Sequence, residues 1–131
     1  MIRDDIRLFI EKIQVAFVAS ADKSGKPHLA AGRDFKVLDQ EHLVFENWFC
    51  RTTLSNAEEN PRVAVAVTDC DSGSGYQFYG NVTYAFDAAL LNGYVPGMEP
   101  PGTPQALTRL VVRVEEVMEF TAGVHTDRSL F

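Results

Sequence analysis

Cysteine is scarce: Cys50 and Cys70 are the two in 131 residues. That excludes the disulfide framework of a small secreted domain and reads as two free thiols in a reducing compartment. No apolar stretch approaches the ~20 residues that span a bilayer. The first segment, MIRDDIRLFIEKIQ, is charged throughout and lacks the apolar run and small-residue cleavage site of a secretory signal. A cytoplasmic location is therefore expected, and the sequon Asn81-Val82-Thr83 reads as accidental. Basic residues are outnumbered, 12 against 18, for a formal charge of −6. With no concentrated basic patch, nucleic acid is not an expected partner, nor is a membrane.

Several chemistries are missing as well. His28, His42 and His125 are scattered, there is no His-Glu-x-x-His, and the two thiols lie far apart, so a metal site is not expected. There is no Gly-x-Ser-x-Gly elbow and no Walker loop, and Gly73-Ser74-Gly75 lacks the third glycine of a dinucleotide fingerprint. Cys50 beside Arg51 has the setting of an activated thiol, but a half-buried thiol at a strand end explains it more simply.

What is present suits one compact domain. Hydrophobic residues make up 46% and charged residues 23%, which is ordinary for a globular chain, and the length leaves room for one core. Apolar residues at 2, 6, 9, 10 and 13 predict an amphipathic helix over 3–13. A β-branched strand over 15–21 follows, then the turn-rich Asp22-Lys23-Ser24-Gly25-Lys26-Pro27, a return strand over 28–38 and another over 42–47. Residues 52–60 favour a short helix that ends before Pro61 and starts at Thr52 or Ser55, the latter in capping-box spacing with Glu58. Val63, Val65 and Val67 alternate with Ala64, Ala66 and Thr68, a strand buried on one face with room for something large on the other.

From Tyr76 the chain alternates again, with Tyr76, Phe78, Val82, Tyr84 and Phe86 on one face. The stretch 87–107, rich in proline and glycine, has room for a short helix in its first part, and its proline-rich remainder reads as a long crossing loop. A last strand places Leu110, Val112, Val114, Met118 and Phe120 together, and Glu116 interrupts that face as a bulge or a strand end would. About six strands with short connections predict a small antiparallel barrel; a parallel βαβ fold would need longer crossovers.

The most informative stretch is Asn47-Trp48-Phe49-Cys50-Arg51-Thr52-Thr53. A guanidinium, two hydroxyls and the free N–H groups of a helix start suit a phosphate dianion. The competing reading is that Thr52 caps the helix and Arg51 reaches solvent. Ala30, Ala31 and Gly32 likewise suit either the close approach of a flat ring or tight strand packing. Arg33 and Asp34 suit either a site or an ordinary surface pair.

The run PHLAAGRDFKVLDQEHLVFENWFCRTTLSNAEENPRVAVAVTD resembles the pyridoxamine 5'-phosphate oxidase-like, FMN-binding split-barrel superfamily, and its small FMN-binding members in particular. The likeness extends through Tyr76-Gln77-Phe78-Tyr79-Gly80 and the final strand. It implies a mainly β fold, a six-stranded antiparallel split barrel with a few short helices. It also implies a homodimer with FMN between the chains, acting as an oxidoreductase with an unidentified small-molecule or protein redox partner. Arg51, Thr52 and Thr53 then match the phosphate-binding residues. Ala31, Gly32, Arg33 and Asp34 fall on the strand along the isoalloxazine, and Phe45, Glu46, Asn47 and Trp48 on the adjoining strand end. Trp48 or Phe49 would cover the ring, and Gln77 would reach the flavin from a neighbouring strand. No protein acid or base is nominated. The end, AGVHTDRSLF, lacks the Trp- and Arg-bearing segment with which the oxidases proper hold their vitamin substrate. Haem-degrading and deazaflavin-using branches share the scaffold, so the alternatives are a non-catalytic flavin carrier, sensor or electron-transfer protein, or a binder of haem or another cofactor on the same scaffold.

Overall fold

The structure, a computed structural model, describes residues 2–87 and 108–130. Helix α1 (Asp4–Glu11) is followed by strands β1 (Ala16–Ala21), β2 (Pro27–Gly32), β3 (Phe35–Asp39) and β4 (His42–Trp48), helix α2 (Arg51–Glu59), and strands β5 (Arg62–Asp69), β6 (Ser74–Asp87) and β7 (Thr108–Thr121). All strand pairs are antiparallel, in a single sheet of order β2-β1-β5-β6-β7-β4-β3. The short helix and crossing loop expected over 87–107 lie, apart from Asp87, outside the described residues.

The sheet curls because of one short joint. β2 and β3 are its two opposite edges, yet only Arg33 and Asp34 separate them in sequence. Three Cα steps reach roughly 11 Å at most, so the edges are drawn together around the core without pairing to each other. This is a split barrel, as the sequence suggests, with seven strands among the described residues where six are expected. The strand expected over 28–38 is two: Asp34 has φ 54, a left-handed conformation that cannot continue an extended strand.

One face of the curled sheet holds the core. Ala16, Val18, Val63, Val65, Val67, Phe78, Leu110, Val112, Val114 and Val117 pack with Phe45, Trp48 and, from α1, Ile6 and Ile10. Each such aliphatic side chain fully buried contributes about 1.5–3 kcal/mol, against about 1 kcal/mol net for a typical hydrogen bond, so apolar packing decides which face turns inward. Helix α1 supplies its isoleucines at i, i+4 spacing, with Asp4 and Asp5 in its first turn complementing the helix dipole. Helix α2 begins at Arg51, close to the Thr52 alternative, and Asn60 leaves the helical region ahead of Pro61.

Bulges change which residues face inward. On β7, Glu116 pairs with Tyr79 and Val114 with Gly80, which leaves Glu115 as an extra residue. The bulge foreshadowed by Glu116 is therefore present, with a consequence that strict alternation misses. Val117 enters the core, whereas Phe120, expected beside Leu110, is exposed. On β4 the register shifts between Phe45 and Trp48, so Glu46 and Asn47 form the irregular step and both flanking aromatics face the core.

The sheet's other face carries mostly small and apolar residues over its first five strands. Ala31, Phe17, Ala66, Gln77 and Met118 are paired in one row, and Leu29, Ala19, Ala64, Tyr79 and Glu116 in the next. Leu29 is 65% exposed and Tyr79 43%. The small residues alternating with the β5 valines form the middle of this surface.

Candidate functional site

The joint between β2 and β3 is also where a cleft opens. Its volume is about 460 Å³, and it is lined by Val15, Ala31, Gly32, Arg33, Asp34, Asn47 and Phe49. That size lies within the usual range for small-molecule sites. A smaller recess of about 290 Å³, lined by Ile13, Gln14, Arg33, Asp34 and Phe35, adjoins it across the same two joint residues.

Two hydrogen bonds fix the joint to β4. The Glu46 N–H donates to the Asp34 carbonyl at 3.0 Å, and Asn47 Nδ2 donates to Asp34 Oδ2 at 3.0 Å. The bulge at Glu46 and Asn47 turns Asn47 toward the joint while Phe45 and Trp48 go inward. Gly32 is backed by these aromatics: a Cβ there would overlap the Trp48 ring and come within 3.0 Å of Phe45 Cδ1. At Gly32 the close-packing explanation therefore suffices. Trp48 is itself held by donation from Nε1 to the Cys50 carbonyl at 3.0 Å. Phe49, with nowhere left in the core, stands 59% exposed on the rim.

From Phe49 the chain passes directly into α2. The helix has Cys50 as its N-cap with no side-chain cap bond, and no acidic residue in its first turn. Its leading N–H groups thus have no side-chain acceptor at the cap position. Arg51 and Thr52 are exposed, whereas Thr53 is fully buried and its Oγ1 has no hydrogen-bond partner among the described residues. Asn56, on the same helix face, anchors α2 by donating to Ser20 Oγ on β1 at 3.0 Å.

The residues singled out in the sequence thus separate into groups. Ala31, Gly32, Arg33, Asp34 and Asn47 meet at the cleft. Arg51, Thr52 and Thr53 meet at the α2 start. Phe45 and Trp48 are core residues behind the cleft wall. Glu46 lies between Lys36, at 3.3 Å, and Arg109, at 3.2 Å. At their partial exposure these pairs contribute at most about 1 kcal/mol each. Gln77 shares the Ala31 face but lies three strand spacings away, roughly 14 Å, and donates to Met118 Sδ at 3.3 Å. Val15 lines the cleft without having been signalled by the sequence, because its place depends on the curl of the whole sheet.

Chains of known family show the same pattern. The pyridoxamine 5'-phosphate oxidase profile matches residues 2–119. An uncharacterized protein of Methanocaldococcus jannaschii is 31% identical over 120 residues, covering 84% of this chain and 75% of the relative. Among solved structures, HupZ of Group A Streptococcus superposes with a TM-score of 0.69 at 23% identity, covering 96% of this chain and 99% of the other. An FMN-binding protein from Syntrophomonas wolfei gives 0.65 at 14% identity, covering 92% and 86%. The split sheet and the matched span agree, and the chain belongs to the pyridoxamine 5'-phosphate oxidase family.

Proposed function

We propose that the chain is a cytoplasmic flavoprotein that binds FMN without covalent attachment and works as an oxidoreductase, as a homodimer with the flavin at the subunit interface. The observation that carries this reading is a cleft whose rim residue, Phe49, stands two positions before a helix start with no side-chain cap. The buried Thr53 hydroxyl, lacking a partner, and the N–H groups of the nine-residue α2 suit the oxygens of a phosphate dianion. The cleft, floored by Ala31 and Gly32, suits a flat ring system.

In this reading Arg51, Thr52 and Thr53 hold the phosphate. Ala31, Gly32, Arg33, Asp34 and Asn47 line the ring, Phe49 covers it, and Glu46 steadies the β4 bulge through Lys36 and Arg109. Bound FMN would accept and return a hydride or electrons, while the polypeptide orients the ring and tunes its potential. The outer face of the sheet, carrying Leu29, Ala64, Ala66 and Tyr79, is the surface proposed to meet the second copy, and Gln77 on that face would approach the flavin of the partner. Among the described residues the cleft wall carries no histidine, cysteine or tyrosine, and its one carboxylate, Asp34, is engaged by Asn47, so no protein acid or base is nominated. That same observation favours a second reading, a non-catalytic flavin carrier, sensor or electron-transfer protein.

The deciding measurement is the absorbance spectrum of the purified protein, followed by titration with FMN. Flavin bands, or micromolar or tighter FMN binding on reconstitution, are expected; the absence of both overturns the proposal. Steady reoxidation and re-reduction with NADH or NADPH would then support the oxidoreductase over the carrier.

A further inference from the structure

We infer that Asp34 is a positioning residue. It fixes the Asn47 amide so that the carbonyl oxygen Oδ1 serves the cleft as a hydrogen-bond acceptor, and the cleft thereby selects a ligand with a ring N–H, here the imide edge of the isoalloxazine. The inference rests on the flavin reading above and adds to it the recognition of one edge of the ring.

The orientation follows from the chemistry of the pair. An ionised carboxylate only accepts hydrogen bonds, so the Asn47 group 3.0 Å from Asp34 Oδ2 is its NH₂. Reversing the amide would set two acceptors against each other. Nδ2 gives one of its two N–H groups to Asp34, and Oδ1 remains the acceptor that the amide can offer a ligand. Asn47 lines the cleft, so an incoming N–H has an acceptor waiting for it.

The carboxylate is held as firmly as the amide it orients. Asp34 has φ 54, and its carbonyl accepts the Glu46 N–H at 3.0 Å. Asn47 belongs to the β4 bulge. Glycine would satisfy that backbone conformation with less strain. An aspartate there points to a use for its side chain. A simple staple between β4 and the joint would use the same bond, and what separates the two roles is ligand discrimination.

The test is a binding titration of FMN and of FMN methylated on the imide nitrogen, read by flavin fluorescence, for the wild type, Asn47→Leu and Asp34→Gly. The glycine variant keeps the positive φ, and circular dichroism verifies that each variant is folded. The wild type is expected to prefer FMN roughly tenfold or more, the worth of one hydrogen bond. Asn47→Leu is expected to bring the ratio close to one by weakening FMN alone, and Asp34→Gly to lower it severalfold. A wild type that binds FMN without discriminating overturns the inference, as does a ratio unchanged in both variants. A wild type that binds neither compound overturns the flavin reading itself.

Discussion

Gly32 and Trp48 occupy one another's space so closely that position 32 tolerates no side chain. The indole cannot withdraw, because its Nε1 is tied to the Cys50 carbonyl and its ring also contacts Phe45 edge-on, with centroids 5.0 Å apart. Gly32→Ala is expected to lose about 1–3 kcal/mol of stability in urea unfolding, the usual cost of overpacking. Gly123→Ala, where an added Cβ meets nothing closer than 3.8 Å, should stay within about 0.5 kcal/mol of the wild type.

Thr53 offers a prediction in which stability and binding move in opposite directions. Its Oγ1 is buried without a partner. Thr53→Val, which replaces the hydroxyl with a methyl of similar size, should leave the unliganded protein equally stable or up to about 1 kcal/mol more so. FMN affinity should fall severalfold. Thermal unfolding and flavin titration on one preparation check both signs, and a hydroxyl of purely structural use would show lost stability with unchanged affinity.

Arg51 is expected to carry more of the phosphate interaction. Arg51→Ala should weaken FMN at least tenfold, in keeping with the loss of a charge-assisted bond, and raising the salt concentration should shrink the difference. Unchanged affinity would remove Arg51 from the site.

Two carboxyls in hairpin turns give the fold a pH dependence. Asp22 is held below the ordinary value of 3.8 by the Ser24 hydroxyl and by the backbone N–H groups of Lys26 and Ser24. Asp39 is held below it by the Glu41 N–H and by His42. A depressed folded-state pKa means stability present above 3.8 that is lost as pH falls through the lower folded value. Asp22→Asn should therefore unfold more readily than the wild type at pH 7, and the two should converge as the pH drops below 3.8. A constant difference across that range would count against the assignment.

The alanine rows predict an assembly. Ala66→Arg puts a long charged side chain in the middle of the sheet's outer face, opposite Phe17 and Gln77. Sedimentation should show a dimer for the wild type and a monomer for the variant, with FMN affinity reduced alongside. A wild-type monomer that binds FMN fully would separate the flavin from the dimer.

Much of this fold is legible in the sequence where a residue's place is set locally. The isoleucine spacing of α1, the valine-alanine alternation of β5 and the stop ahead of Pro61 each reflect a periodicity or a local steric rule. The break at Arg33 and Asp34 is not legible, since the left-handed residue is Asp34 and not the neighbouring Gly32, and its bonds run to Glu46 and Asn47 on a different strand. The bulges have the same origin. Glu115 and the Glu46-Asn47 step appear only once neighbouring strands set the register, which is why Phe120 faces outward. The cleft residues were readable as a group through Ala31 to Asp34. Val15 and the division of labour between Asn47 and Trp48 required three dimensions.

The two-residue joint has one more consequence. Opposite edges of the sheet are tethered by a fixed contour length, so the aperture of the cleft is encoded in a count of backbone units, each worth up to about 3.8 Å. Insertion or deletion between Gly32 and Phe35 retunes that aperture and alters Arg33 and Asp34, while Val15, Ala31, Gly32, Asn47 and Phe49 keep their own elements. Ring size, in such a scaffold, is accommodated by arithmetic on the main chain.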